Sequence, residues 1–191
     1  MSLTQIIRPF LLKRLHALDL YTSRAEDLQR NALQRLVDRA AGTQWGEQHN
    51  YARIRSYEDF AKSQPVHTYE ELKGYIDRMR QGEKDLLWPG VVKWYAKSSG
   101  TTNDKSKFIP VSKDGLNDTH YRGGTDAVVW YLRNNPQSRI FDGRALILGG
   151  SHAPNYNLKS SLVGDLSAIL IENINPLVNL VRVPAKATAL L

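Results

Sequence analysis

The residues of this sequence best suited to chemistry lie together between Ser98 and Lys107. They read Ser-Ser-Gly-Thr-Thr-Asn-Asp-Lys-Ser-Lys, so hydroxyl side chains surround one glycine and two lysines follow. Gly100 allows backbone amides to approach an anion, the hydroxyls donate to phosphate oxygens, and a lysine neutralises charge on the distal phosphates. The pattern therefore predicts a loop that holds a polyphosphate.

This loop differs from the Walker motif, which places a glycine directly before the lysine, because Asp104 precedes Lys105. The local charge fits a polyphosphate. Residues 91–113 hold five lysines and one aspartate, a net charge of +4 in a chain whose formal net charge is +7. A basic excess concentrated around one loop suits a compact polyanion better than a long nucleic-acid track.

Two extended segments flank the loop. The apolar turn of Trp88, Pro89 and Gly90 precedes a predicted strand over residues 91–96, and a second strand is predicted over 108–111. Residues 91–111 therefore form a unit of strand, phosphate loop and strand.

The first 41 residues form a helical lead-in, because their apolar residues recur at helical spacing until Gly42 supplies a stop. The spacing predicts two amphipathic helices or one long one, with the apolar stripe facing the core. The residues of the stripe are Leu3, Ile6, Ile7, Phe10, Leu11, Leu15, Leu18, Leu28, Leu33, Leu36, Val37 and Ala40. Further along, Thr68 and Glu71 form a capping box that predicts a helix over 69–80.

Helical and extended segments alternate after the loop. A helix is predicted over 114–134, where Gly123 and Gly124 indicate either the close approach of another group or a break between two short helices. Residues 145–148 read as a buried strand, and 162–171 as a helix or strand. This alternation favours an α/β fold with a helical start, a mixed sheet and flanking helices.

Composition excludes several classes of protein. Cysteine is absent, which rules out disulfides and thiolate metal sites, and the five histidines lack the spacing that lets two imidazoles share a metal ion. No apolar run has the length of a signal peptide or a membrane span. We therefore expect a cytoplasmic protein with no metal ligand in this chain and neither membrane nor nucleic acid as a partner.

The loop closely resembles the phosphate loop of the adenylate-forming superfamily that includes firefly luciferase and acyl-CoA synthetases. It looks most like the auxin-responsive acyl-acid amido synthetase branch, first known from plants and also present in bacteria. The residues that carry the resemblance are Ser98, Ser99, Gly100, Thr101, Thr102, Lys107 and Pro110. Residues 65–69 and 88–90 upstream, and 143–150 and 164–176 downstream, are also similar to the family, so the resemblance runs over most of the chain.

The resemblance implies a ligase that uses ATP and Mg²⁺. A small carboxylic acid attacks the α-phosphate of ATP, pyrophosphate leaves, and an amine such as an amino acid takes the acyl group. Lys107 would contact the β- and γ-phosphates as the catalytic residue, and the cradle would be Ser98, Ser99, Gly100, Thr101 and Thr102. Tyr121 and Arg122 would bind the acid.

By the same resemblance, residues 1–191 are expected to be the incomplete N-terminal part of the large domain, with residues 112–191 forming a helix and further core elements. The C-terminal domain, the adenine and ribose pocket and the acidic Mg²⁺ ligand would lie outside this chain. We therefore expect the chain alone to be inactive.

One position departs from the family, because Asp104 stands where a glycine is usual. A carboxylate near a triphosphate is unfavourable unless it points away or faces a metal ion. A non-catalytic relative or scaffold therefore remains an alternative. The other alternative is a basic nucleic-acid-binding module, since nine tyrosines and four tryptophans are available for stacking.

Overall fold

The computed structural model describes residues 2–98, 106–151, 158, 160–184 and 186. Its helices are α1 (Leu3–Leu12), α2 (Leu15–Ser23), α3 (Ala25–Ala40), α4 (Gln44–Gln48), α5 (Tyr57–Ser63), α6 (Tyr69–Arg80), α7 (Lys113–Gly115), α8 (Arg122–Asn134) and α9 (Leu166–Asn173). The strands are β1 (Trp94–Lys97), β2 (Phe108–Val111), β3 (Ala145–Leu146), β4 (Leu162–Gly164) and β5 (Arg182–Val183). Tyr51–Arg53 and Pro176–Leu180 form 3₁₀ turns, and Leu116–Tyr121 forms a π-helical segment.

The described residues fall into two compact units. One unit, which we call the loop unit, comprises those within 24–112 and 153–163. The second, which we call the terminal unit, comprises those within 1–23, 113–152 and 164–191. The predicted phosphate loop belongs to the first of them.

Helix α6 of the loop unit covers residues 69–80, as the capping box predicts. The Glu71 carboxylate accepts hydrogen bonds from the backbone N–H of Thr68 at 2.5 Å and from its hydroxyl at 2.9 Å. These bonds lower the pKa of Glu71, the backbone bond having the larger effect. Because the Glu71 carboxylate satisfies the free amide of the cap residue Thr68, the start of α6 is fixed.

The strands beside the phosphate loop form an antiparallel hairpin. Trp94 pairs with Val111 and Lys97 with Phe108, and β4 lies on the other side of β1. The prediction for 108–111 is confirmed, whereas the strand predicted over 91–96 covers 94–97. Residues 91–93 connect β1 to the turn at 88–90, in which Gly90 has a φ of +75°.

The core of the loop unit lies between α6 and β1. Tyr95 of β1 is completely buried, so the hairpin is anchored by one large aromatic residue beside the phosphate loop. The cluster consists of Ile76, Met79, Leu86, Val92, Tyr95 and Val163, with Tyr69, Leu72, Tyr75, Leu87, Trp88 and Phe108 packed against it.

Helical structure in the terminal unit is continuous from Lys113 to Asn134, with the π-helical segment before α8. Gly123 and Gly124 lie in the first turn of α8, so the alternative of a break between two short helices at the glycines is wrong. The irregular backbone occurs upstream, over Leu116–Tyr121. Apart from the adjacent residues and the backbone of the helix itself, no atom of the described residues lies within 4 Å of where a Cβ would stand on either glycine.

The strand predicted over residues 145–148 is shorter and more exposed than expected. Only Ala145–Leu146 pairs, in parallel, with Arg182–Val183. Leu146 is 72% exposed and Leu148 66% exposed. The prediction of burial is wrong because an apolar run reports a preference for burial, while burial itself requires an element that packs over the strand.

The structure has the predicted fold class: a helical start is followed by strands in both antiparallel and parallel pairings, with helices beside them. Within the described part of the chain, no helix is long and apolar enough to cross a membrane.

Candidate functional site

The two ends of the predicted phosphate loop are held together by the backbone. The N–H of Ser98 donates to the carbonyl oxygen of Lys107 at 2.9 Å, and the N–H of Lys107 donates to the Ser98 hydroxyl oxygen at 3.3 Å. These bonds extend the β1–β2 pairing by one more residue pair. The structure thus brings together the first and last residues of the predicted phosphate loop.

Four other predicted residues, Ser99, Gly100, Thr101 and Thr102, lie outside the described residues, as do Asp104 and Lys105. Their role in a phosphate cradle stays a prediction. What the structure does establish is the span they bridge. Since Ser98 and Lys107 are hydrogen-bonded neighbours, the segment between them begins and ends at the same end of the hairpin.

The Lys107 ammonium group is exposed and lies 5.4 Å from the centre of the Tyr69 ring. An ammonium over an aromatic ring is attracted by the ring's negative face. None of the ion pairs between described residues involves this ammonium. Its charge is therefore available to an anion that reaches the loop.

Tyr69 also fixes the strand that follows Lys107. Its hydroxyl oxygen accepts the backbone N–H of Phe108 at 2.9 Å. The guanidinium of Arg80, the last residue of α6, lies 3.7 Å from the centre of the Phe108 ring. The start and end of α6 therefore both contact the beginning of β2.

Sequence reasoning missed Tyr69, because its contact with Phe108 joins residues 39 positions apart. The segment 65–69 contributed to the family resemblance, but no local pattern shows that Tyr69 meets the loop. A helix start and a strand start carry separate signals, and only the fold joins them.

Tyr121 and Arg122, predicted to bind the acid, lie in the terminal unit. The half-buried Tyr121 donates its hydroxyl proton to the carbonyl oxygen of Leu170 at 2.8 Å, and burial raises the pKa of this phenol. Arg122 is exposed and pairs with Asp118 at 2.7 Å. Their role in acid binding stays a prediction.

Metal-binding geometry is also absent from the described part of the chain. No group of three or more histidine, aspartate or glutamate side chains there is arranged to hold a metal ion. The exposed ammonium of Lys107 suits an anion instead.

Comparison with known proteins places this geometry in a family context. The model of the GH3 family N-terminal domain matches residues 14–189. The indole-3-acetic acid-amido synthetase GH3.6 of Arabidopsis thaliana is 29% identical over 96 residues, covering 50% of this chain and 16% of that protein. The jasmonoyl–L-amino acid synthetase JAR4 of Nicotiana attenuata is 25% identical over 129 residues, covering 67% of this chain and 22% of that protein.

The 4-substituted benzoates-glutamate ligase GH3.12 of Arabidopsis thaliana is 29% identical over 90 residues, covering 47% of this chain and 16% of that protein. The match therefore spans less than a quarter of the length of each of these three relatives.

A solved structure of the GH3.15 acyl acid amido synthetase shares the fold. It superposes with a TM-score of 0.71 at 19% identity, over 92% of this chain and 30% of that one. A second structure, AtGH3.15 acyl acid amido synthetase in complex with 2,4-DB, gives a TM-score of 0.69 at 21% identity, over 84% of this chain and 28% of that one.

Proposed function

This chain belongs to the GH3 family, and on that premise we propose that it supplies the triphosphate-binding loop of an ATP-dependent acyl-acid amido synthetase. The observation that carries the proposal is the position of Lys107. Its ammonium makes no ion pair within the described residues. Lys107 lies at the end of the β1–β2 hairpin, where a loop rich in hydroxyl groups begins and ends. A compact anion with several charges fits that arrangement.

The named substrates of the relatives indicate the substrate class. The matched proteins are named for indole-3-acetic acid, jasmonoyl and 4-substituted benzoate groups, and for amino acids such as glutamate. We propose that the complete protein containing this chain joins a small carboxylic acid of this general kind to an amino acid.

Charge and position would be this chain's contribution to the chemistry. ATP would supply the adenylyl group, and Mg²⁺ would share the negative charge of the phosphates. Lys107 would hold the β- and γ-phosphates, so that the charge that develops on the departing pyrophosphate meets a fixed cation. Ser98 would keep the loop closed through its bonds to Lys107.

Backbone amides at Gly100 and Thr101, with the hydroxyls of Ser99 and Thr102, would complete the cradle. Glycine permits close approach of the backbone to a phosphate, and amides aimed at one point form a site for an anion. These roles rest on the sequence pattern.

Arg122 is proposed to bind the substrate carboxylate, because it is exposed and a guanidinium pairs with a carboxylate through two parallel hydrogen bonds. Asp118 already provides such a partner at 2.7 Å, so the substrate would replace an ion pair that contributes little at an exposed surface. Tyr121 would contact the acid through its ring, because its hydroxyl already donates to the carbonyl oxygen of Leu170.

The test is product formation by the longest gene product that contains residues 1–191. The protein is incubated with ATP, Mg²⁺, a panel of aromatic and aliphatic carboxylic acids and the amino acids, and the products are separated by mass spectrometry. We expect an N-acyl amino acid and AMP in equal amounts, both dependent on the acid. ATP hydrolysis independent of any acid, or no AMP with every acid, would contradict the proposal and favour a non-catalytic relative.

A further inference from the structure

Tyr69 contacts Phe108, the first residue of β2, and Lys107 directly before it. Its ring faces the Lys107 ammonium, with 5.4 Å between Nζ and the ring centre. Its hydroxyl oxygen accepts the N–H of Phe108 at 2.9 Å. One side chain therefore holds both the backbone that carries Lys107 and the charged end of Lys107 itself.

The position of Tyr69 is itself well determined. It is the first residue of α6, directly after the Thr68 cap, whose N–H and hydroxyl both donate to Glu71. Its half-buried ring packs against the core of the loop unit. A helix start held by a capping box and by core packing offers a fixed surface for a flexible side chain.

A free lysine side chain samples many rotamers, and an anion that binds it must restrict that freedom. A ring that already faces the ammonium reduces the restriction left for the ligand to impose, which is how preorganisation increases affinity. The contact leaves the ammonium exposed, so a phosphate group still has access to it.

We propose that Tyr69 is a positioning residue for Lys107, and that its ring holds the ammonium where the triphosphate of ATP binds. This inference rests on the proposed function, because it takes the ligand of Lys107 to be ATP. The ring carries the effect on the ligand. The hydroxyl stabilises the strand.

Two variants separate the ring from the hydroxyl, and a third provides a matched control. Tyr69→Leu removes both groups and Tyr69→Phe keeps the ring. Tyr75→Leu is the control because Tyr75 lies on the same helix, packs against the same core and has its ring 5.9 Å from a cationic group, that of Arg78. Thermal unfolding of each variant measures the loss of stability.

The kinetic readout is the KM for ATP in acid-dependent ATP–pyrophosphate exchange with the complete protein. We expect Tyr69→Leu to raise the KM for ATP about two- to fivefold, the range that corresponds to a cation–π contact of an exposed ammonium. The KM for the carboxylic acid should stay unchanged. Tyr69→Phe and Tyr75→Leu should keep the wild-type KM for ATP.

NMR of the protein with ¹³C-labelled lysine ε-methylene groups gives a readout of the contact that does not use activity. The ring current of Tyr69 should shift the Lys107 signal, and the shift should vanish in Tyr69→Leu but persist in Tyr69→Phe and Tyr75→Leu. The Lys107 signal is assigned with Lys107→Arg.

The outcomes distinguish the inference from the proposed function. Absence of exchange in the wild-type protein contradicts the proposed function, and with it the ligand assigned to Lys107. Wild-type exchange with equal KM values for ATP in Tyr69→Leu and Tyr75→Leu overturns the role of Tyr69 alone. A Tyr69→Phe variant as impaired in ATP binding as Tyr69→Leu also overturns it, because the ring would then not be the group that acts.

Discussion

Ser98 and Lys107 face each other across the base of the loop, joined by two hydrogen bonds of 2.9 and 3.3 Å. The first places a backbone N–H against a carbonyl, and the second uses the serine hydroxyl as acceptor. The loop that we assign to triphosphate binding therefore starts and ends at one point of the hairpin. These hydrogen bonds fix one side of the position from which Lys107 extends, and the bond from the Phe108 N–H to the Tyr69 hydroxyl fixes the other.

Arg122→Ala should raise the KM for the carboxylic acid by about tenfold or more, because a charged hydrogen-bonding partner of the substrate is lost. Stability should change by at most about 1 kcal/mol, since the ion pair with Asp118 is exposed. Arg133→Ala is the matched control, because Arg133 lies on the same helix and forms an exposed ion pair with Asp19. Equal KM values for the acid in the two variants would remove Arg122 from the acid site.

Tyr95→Phe should leave the free energy of unfolding at pH 7 unchanged or raise it by about 1 kcal/mol. Tyr95 is fully buried, and its hydroxyl has no hydrogen-bond partner within the described residues, so removing the hydroxyl removes an unpaired polar group. Urea denaturation measures the change. A loss of more than about 1 kcal/mol would show that the hydroxyl does have a partner.

The same residue predicts an alkaline dependence of stability. Burial raises the pKa of Tyr95 to about 12, from an ordinary value of 10.0. The pKa of Tyr95 in the folded protein lies above that in the unfolded chain. The contribution of the neutral phenol to the free energy of unfolding is therefore fully present below pH 10 and is lost as the pH rises toward 12. The wild type should lose more stability than Tyr95→Phe between pH 9 and pH 11, and parallel losses would contradict the assignment.

Asp142 should confer acid-sensitive stability on the terminal unit. Its carboxylate accepts the N–H of Thr4 and the hydroxyl of Ser2 and pairs with Arg139, and these contacts lower its pKa well below the ordinary value of 3.8. The contribution is therefore present above about pH 5 and is lost as the pH falls through the lowered pKa.

The Tm difference between the wild type and Asp142→Asn should accordingly be largest near neutral pH and shrink toward pH 2. Calorimetry over this range measures it. Asp27→Asn is the control, because the ion pairs that Asp27 makes with other described residues, Arg24 and Arg30, are exposed. A constant Tm difference for Asp142→Asn across the range would mean that its charge does not matter.

Two glycines of the terminal unit should respond to alanine in opposite ways. A Cβ on Gly150 would clash with the side chain of Asp165, so Gly150→Ala should destabilise by about 1–3 kcal/mol. Gly124 is helical and has open space among the described residues, so Gly124→Ala should stabilise by about 0.5–1 kcal/mol. Urea denaturation of both variants provides the comparison.

Gly124→Ala also tests the hypothesis that a ligand approaches the paired glycines. If one does, the more stable variant will have a higher KM for the acid or for ATP. Unchanged KM values would leave the glycines without a role in binding.

The structure shows which features the sequence could reveal. The helix over 69–80 and the strand over 108–111 were predictable because a capping box and a short extended run act through neighbouring residues. The exposure of Leu146 was not, since burial depends on what packs over a strand. Tyr69 was missed for the same reason, because its two contacts at the loop arise only when α6 and β2 meet.

We propose that Lys107 binds the triphosphate of ATP in an acid-activating enzyme. The most direct test of this role is ATP–pyrophosphate exchange by the complete protein, with wild type, Lys107→Ala and the control Lys93→Ala, which removes an exposed lysine of the same segment. We expect acid-dependent exchange in the wild type and Lys93→Ala, and a loss of about a hundredfold or more in Lys107→Ala. Undiminished exchange in Lys107→Ala, or none in the wild type with any acid, would contradict the claim.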